Sequence, residues 1–138
     1  MRFYTLLNHT YFILTWSLLV TGEDGWTLLW SDEFDQDGFL NSSVWTPRTG
    51  FLGYNGEFQT YTDSPENLRV EGGKLHITAL KSSQGYTSAR INTMNKLKTK
   101  YSMIEASIKI PPMQIGLWPA MWTLGDSYSQ GVPWPASG

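Results

Sequence analysis

NLRVEGGKLHITAL, residues 67–80, decides the fold class. Asn67 to Val70 and Lys74 to Leu80 flank Glu71-Gly72-Gly73, and a glycine pair between two alternating runs supplies the positive φ that a tight hairpin loop demands. On the second arm Leu75, Ile77 and Ala79 share one face. His76 falls on the other, where it reads as a sheet-face histidine. The same period of two recurs outward from this hairpin. Upstream, Trp26, Leu28 and Trp30 alternate toward one face ahead of the acidic run Ser31-Asp32-Glu33-Phe34-Asp35. Downstream, Ala89 and Ile91 oppose Ser88, Arg90 and Asn92. Ile104, Ala106, Ile108 and Ile110 then alternate with Met103, Glu105, Ser107 and Lys109 until Pro111-Pro112 ends the ladder. Leu117 to Leu124 is apolar or aromatic on both faces, the pattern of a central strand covered on two sides. With no sustained helical period, repeat or linker after Trp26, the chain reads as all-β.

Composition points the same way. Seven Trp, seven Tyr, thirteen Gly and seven Pro among 138 residues favour a β-sandwich or barrel over a helical bundle. Ten Lys and Arg against twelve Asp and Glu leave no basic excess to clamp phosphates, so nucleic acid is excluded as a partner, and Lys96, Lys98 and Lys100 read as a solvated strand face. The absence of Cys excludes a disulfide scaffold and a Cys-based zinc site. At the N-terminus Arg2 precedes the apolar run Tyr11 to Val20, and Val20-Thr21-Gly22 follows with small residues before Glu23-Asp24. This predicts a secretory signal peptide over residues 1–22, a domain over 23–138 and a secreted, extracellular destination. The alternative is an N-terminal extension or a misplaced start. The apolar run is far shorter than the roughly 20 residues a spanning helix needs, so no permanent membrane anchor is expected. Asn41-Ser42-Ser43 forms a glycosylation sequon among turn residues, with Asn41 as acceptor.

Five collinear segments carry a resemblance. They are Trp30-Ser31-Asp32-Glu33-Phe34-Asp35, Tyr54-Asn55-Gly56-Glu57-Phe58-Gln59-Thr60-Tyr61-Thr62, Tyr86-Thr87-Ser88-Ala89-Arg90-Ile91, Gly116-Leu117-Trp118-Pro119-Ala120-Met121-Trp122-Thr123-Leu124 and Trp134-Pro135-Ala136-Ser137-Gly138. Together they resemble glycoside hydrolase family 16, in its laminarinase-like endo-β-1,3(4)-glucanase branch. The resemblance implies a concanavalin A-like β-jelly roll, present over these residues as its N-terminal half, with two curved antiparallel sheets and a concave glucan-binding cleft. It also implies a glycosidase that retains anomeric configuration, is monomeric when complete, and acts on β-1,3 or mixed β-1,3/1,4-glucan.

Family members carry Glu-x-Asp-x-x-Glu directly after Trp-Pro-x-x-Gly. Residues 134–138 are such a segment, so the resemblance places nucleophile and general acid/base beyond Gly138 and implies that residues 1–138 alone are inactive. The chemistry needs both groups. A retaining glycosidase holds two carboxyls roughly 5–5.5 Å apart, one to attack the anomeric carbon and one to protonate the leaving oxygen. Positions i and i+5 of a strand do not share a face, so that spacing also needs a bulge. Upstream carboxylates at Glu23-Asp24, Asp32-Glu33-Asp35 and Asp37 precede the cleft strands and read as turn and surface groups; no catalytic residue is assigned.

The binding residues implied are Trp118, Trp122, Arg90, Trp134, Asn55 and Glu57. Trp118 and Trp122, four apart in an expected strand, lie on one face about 13 Å apart with Ala120 between, where indole can pack on the apolar C–H face of a sugar; the alternative is that both fill the core. Arg90 offers a planar fork to sugar hydroxyls or to carboxylates, or else is a solvated charge. Trp134, between two prolines, lies at the cleft edge or anchors a loop. Asn55 and Glu57 stand where relatives often read Asn-Asn-Glu, with Gly56 replacing the middle residue. No cofactor is implied. Structural calcium in some relatives uses backbone oxygens near positions such as Glu33 and Gly73 plus a later Asp, for which this sequence has no match. Two other readings remain open: a non-catalytic β-glucan-binding protein, and a non-functional remnant.

Overall fold

The computed structural model describes residues 1–6, 25–112 and 114–137. In chain order its strands are β1 (Arg2–Leu6), β2 (Trp26–Ser31), β3 (Thr46–Arg48), β4 (Gly50–Phe51), β5 (Gln59–Tyr61) and β6 (Leu68–Val70). They continue as β7 (Leu75–Ile77), β8 (Leu80–Ser82), β9 (Gly85–Ser88), β10 (Arg90–Asn92) and β11 (Ser102–Glu105). Short 3₁₀ turns occur at Tyr54–Gly56 and Asp126–Gln130. The chain is all-β, and it divides into two compact units, Met1–Asp32 with Thr99–Gly138, and Glu33–Lys98.

In the first unit β1 lies between β11 and β2, antiparallel to both. Phe3, paired with Ile104 on one side and Trp30 on the other, is 7% exposed and meets the Trp30 ring edge-on at 5.2 Å. The ladder slips after Phe3, because Phe3 pairs with Trp30 but Tyr4 pairs with Leu28. Leu29 is therefore an extra residue, and the single face expected for Trp26, Leu28 and Trp30 is broken by a bulge. The signal peptide expected over residues 1–22 falls mostly on residues 7–22, which lie outside the described residues. Its first residues form β1, so removing 1–22 would take away the strand that joins β2 to β11.

The strand expected to run to Ile110 stops at Glu105. Its partner β1 begins at Arg2, opposite Glu105, and Met1, the residue next in register for Ala106, exchanges hydrogen bonds with the Asp32 backbone instead. Ile108 and Ile110 are left exposed. The central strand expected over 117–124 also does not form. A segment apolar on both faces is held extended by strands on both sides, and among the described residues none pairs with it.

In the second unit the 67–80 hairpin forms as β6 and β7, with Leu68 opposite Ile77 and Val70 opposite Leu75. Gly72 and Gly73 take φ of 58° and 70°, and the Glu71 N–H donates to the Lys74 carbonyl at 2.9 Å to close the loop. The second arm ends at Ile77, earlier than the expected Leu80, and Leu80 opens β8 instead. His76 lies in β7 with Nε2 3.2 Å from the Glu71 carbonyl oxygen. The Glu71 carboxyl is held below its usual range by the hydrogen bond from the Arg69 guanidinium at 2.9 Å, and by its charge. Asp37, from the acidic segment, accepts the Gly72 N–H at 2.8 Å, while Gly38 and Val70 exchange backbone hydrogen bonds. Asp37 thus holds the hairpin loop.

Strands β4, β5, β9 and β8 form one sheet in that order, and β10 pairs with β3. Within it β5 and β9 are parallel, a departure from the fully antiparallel sheets expected. Trp45, Tyr61, Leu68, Val70 and Ala89 are the buried apolar residues of this unit. The lysine segment is not a strand. The Lys96 ammonium donates to the carbonyls of Ser42 and Trp45 at 2.7 and 3.1 Å, tying down the 42–45 turn.

The hairpin loop yields one prediction. A β-branched side chain at φ near +70° crowds its own backbone, at a cost of about 1–2 kcal/mol. Gly73→Val is expected to lower the urea midpoint without changing the slope. An unchanged midpoint would show that the loop rearranges freely.

Candidate functional site

The residues singled out for sugar binding divide between the two units. In the Glu33–Lys98 unit, Tyr54-Asn55-Gly56 is a 3₁₀ turn in which Asn55 sits at φ 53°, a left-handed conformation that Asn tolerates. The Glu57 N–H donates to the Tyr54 carbonyl at 2.9 Å and ends the turn. The Tyr61 hydroxyl, on β5, donates to Glu57 Oε2 at 3.1 Å and itself accepts from Gln59 Nε2 at 2.8 Å. The Glu57 carboxylate is thus oriented by a buried tyrosine.

Arg90, the first residue of β10, lies over the Tyr54 ring at 5.9 Å and opposite Arg48 of β3. A guanidinium over an aromatic ring is attracted by the ring's quadrupole, which fixes its position. Arg90 and the 54–57 turn therefore meet through Tyr54, with Asn55 exposed beside it. In the sequence Tyr54 stands only as part of a motif, with no role of its own. Its position three residues before Glu57 in an aromatic-rich turn was the available signal.

In the other unit, Trp118 is 91% exposed, Trp122 56% and Trp134 68%. Because residues 117–124 form no strand, the shared face and strand spacing expected for Trp118 and Trp122 are not present. The segment starts instead from a turn at Gly116, φ 90°, closed by the Leu117 N–H donating to the Gln114 carbonyl at 3.1 Å. Each exposed indole offers an apolar face of the kind that sugar rings stack on.

Asn41 is exposed at the start of a turn, and its Oδ1 accepts from the Ser43 hydroxyl at 2.7 Å and the Ser43 N–H at 3.0 Å. Among the described residues no group of three or more His, Cys, Asp or Glu could hold a metal ion, and beside Gly73 the Asp37 carboxylate is already engaged by an amide.

The family model described as beta-glucan synthesis-associated protein SKN1/KRE6/Sbg1 matches residues 16–134. The chain is 36% identical over 133 residues to glucan endo-1,3-beta-glucosidase A1 of Niallia circulans, covering 83% of this chain and 19% of that protein. It is 40% identical over 119 residues to the beta-glucanase of Rhodothermus marinus, covering 82% and 41%. The laminarinase of Flavobacterium sp. UMI-01 superposes with a TM-score of 0.63 at 31% identity, covering 79% of this chain and 47% of that one. The chain thus spans less than half the length of each of these relatives.

Proposed function

Since the chain belongs to the SKN1/KRE6/Sbg1 family of beta-glucan synthesis-associated proteins, and to the laminarinase-like branch of glycoside hydrolase family 16 with its jelly-roll fold, we propose that it supplies sugar-binding elements of a β-1,3- or β-1,3/1,4-glucan-acting protein. The observation that carries this reading is the exposed indole pair of the Gly-Leu-Trp-Pro-Ala-Met-Trp segment, Trp118 and Trp122. In the whole protein these indoles, with Trp134, stack on glucose rings, while Arg90 and the Asn55–Glu57 turn hold hydroxyls. The whole protein cleaves glucan, a reading that the names of its relatives support, and the family resemblance adds retention by double displacement. It acts outside the cell, delivered by residues 1–22, and as a monomer.

Residues 1–138 contain no Glu-x-Asp-x-x-Glu and no carboxylate pair assigned to catalysis. By themselves they bind glucan without cleaving it. A second reading, glucan binding without hydrolysis in the whole protein, is favoured by the description of the matching family, which names synthesis rather than breakdown. Affinity electrophoresis in laminarin gels, with reducing ends measured in parallel, tests the proposal. The 138-residue chain is expected to be retarded, Trp118→Ala to bind at least tenfold more weakly, a loss of about 1.4 kcal/mol, and no reducing sugar to appear. Equal retardation of both proteins by laminarin and by an unrelated polysaccharide would remove the carbohydrate role of the indoles. Sugar release by the purified chain would overturn the inactivity.

A further inference from the structure

Phe39 is 80% exposed, yet it borders a cavity of about 190 Å³ lined also by Trp45, Pro47, Leu68, Ser42 and Asp63. That is below the roughly 300–1,000 Å³ of pockets that bury larger ligands, and it suits a single ring. An aromatic face left open beside an apolar cleft with a hydroxyl and a carboxylate at hand matches a pyranose, apolar on its C–H face and polar at its rim. The chain brings the attachment point for such a ring. Asn41 lies two residues from Phe39, and at 3.3–3.6 Å per residue the two backbone positions are separated by no more than about 7 Å. Asn41 is exposed, and its Oδ1 is held by the Ser43 hydroxyl and N–H at 2.7 and 3.0 Å. The carbonyl end of the amide is thus engaged within the sequon, and Nδ2, the nitrogen that bonds to sugar, belongs to an exposed side chain. The two Lys96 hydrogen bonds, to the carbonyls of Ser42 and Trp45, fix the turn that carries this wall of the cleft.

We propose that Phe39 is the seat of the innermost N-acetylhexosamine of a glycan carried on Asn41, so that modification covers the exposed ring and stabilises the Glu33–Lys98 unit. The proposal rests on the secretory route put forward above. Attachment forms a bond from Asn41 Nδ2 to the sugar C1 and breaks the C1–O bond to the pyrophosphate of a lipid-linked oligosaccharide donor. The amide proton leaves to a base of the transferring enzyme.

The test is expression of the full 138-residue chain, wild type and Phe39→Ala, in a eukaryotic secretory host. Glycopeptide mass spectrometry and thermal unfolding before and after enzymatic glycan removal are the readouts. Asn41 is expected to be occupied, and glycan removal to lower the wild-type Tm by about 4 °C, the shift a single kilocalorie gives in a domain of this size. In Phe39→Ala the same treatment is expected to shift Tm by less than about 1 °C. The native glycan should also be released from Phe39→Ala at least fivefold faster, a readout that does not depend on resolving two Tm values. Equal Tm shifts and equal release rates in both proteins would overturn the proposal. So would a chain recovered from the medium with Asn41 bare, which leaves the secretory route standing; a chain that stays unmodified in the cytosol overturns both.

Discussion

Trp45→Ala is expected to unfold the Glu33–Lys98 unit under conditions in which the wild-type chain stays folded. Trp45 is 7% exposed, its ring stacks on Phe34 at 6.2 Å and 29°, and its backbone is held from two directions. Its N–H donates to the Asn41 carbonyl at 2.9 Å, and its carbonyl accepts from Lys96 at 3.1 Å. Truncating a buried indole removes both its transfer energy and the contacts around the void, about 3–5 kcal/mol. Small domains hold only about 5–15 kcal/mol in total, so a loss of this size consumes much of the margin. Trp45→Phe keeps a ring against Phe34 and is expected to cost less. Phe58→Ala is the internal comparison, because Phe58 is 82% exposed and a surface truncation falls within about 0.5 kcal/mol. Urea titrations followed by circular dichroism measure all three. A Trp45→Ala midpoint within error of Phe58→Ala would show that burial of this indole does not hold the unit together.

The contrast between these aromatics also marks what was legible in the chain. The Gly72-Gly73 hairpin was readable because its cause is local: two residues at positive φ and the alternating runs beside them form one short contiguous signal. The five family segments identified the fold and branch, and the matching family model and the superposed laminarinase agree with them. Strand length was less legible. The alternation from Ile104 to Ile110 is intact in the sequence, but a strand extends only as far as its pairing, and the ladder with β1 ends at Arg2 opposite Glu105. For the same reason the Trp118 to Trp122 spacing predicted a shared face that an unpaired segment does not keep. The parallel pairing of β5 with β9 joins Gln59 to Tyr86 across a long stretch of chain, and no local pattern reports such a partner. Lys96 shows the same limit for charge: its spacing with Lys98 and Lys100 suggested a solvated face, whereas two distant carbonyls decide its role.

Asn67 is the least legible residue of all, and its replacement by Leu is expected to cost on the order of 3 kcal/mol. It is 2% exposed, and its side chain links three segments. Nδ2 donates to the Thr78 carbonyl at 2.8 Å and lies 3.2 Å from the Thr87 hydroxyl, while Oδ1 accepts from the Thr62 hydroxyl at 2.7 Å. Leucine has nearly the same size but strands these partners away from water, and each buried group left without a hydrogen bond costs about 1–3 kcal/mol. Asn67→Asp separates the polar role from the shape. The carboxylate can still accept from Thr62 but faces the Thr78 carbonyl oxygen where a donor stood, and burial disfavours its charged form. Its folded pKa therefore rises above the unfolded value near 3.9. The folded state then binds more protons than the unfolded one, so stability falls as pH rises through that interval. The gap between Asn67→Asp and wild type is expected to widen from pH 4 to pH 7, by about 1.4 kcal/mol for each tenfold by which folding tightens proton binding, while the Asn67→Leu gap stays flat. Parallel pH profiles for the two variants would mean that the carboxylate reaches water, and that the three segments are held together by packing rather than by this amide.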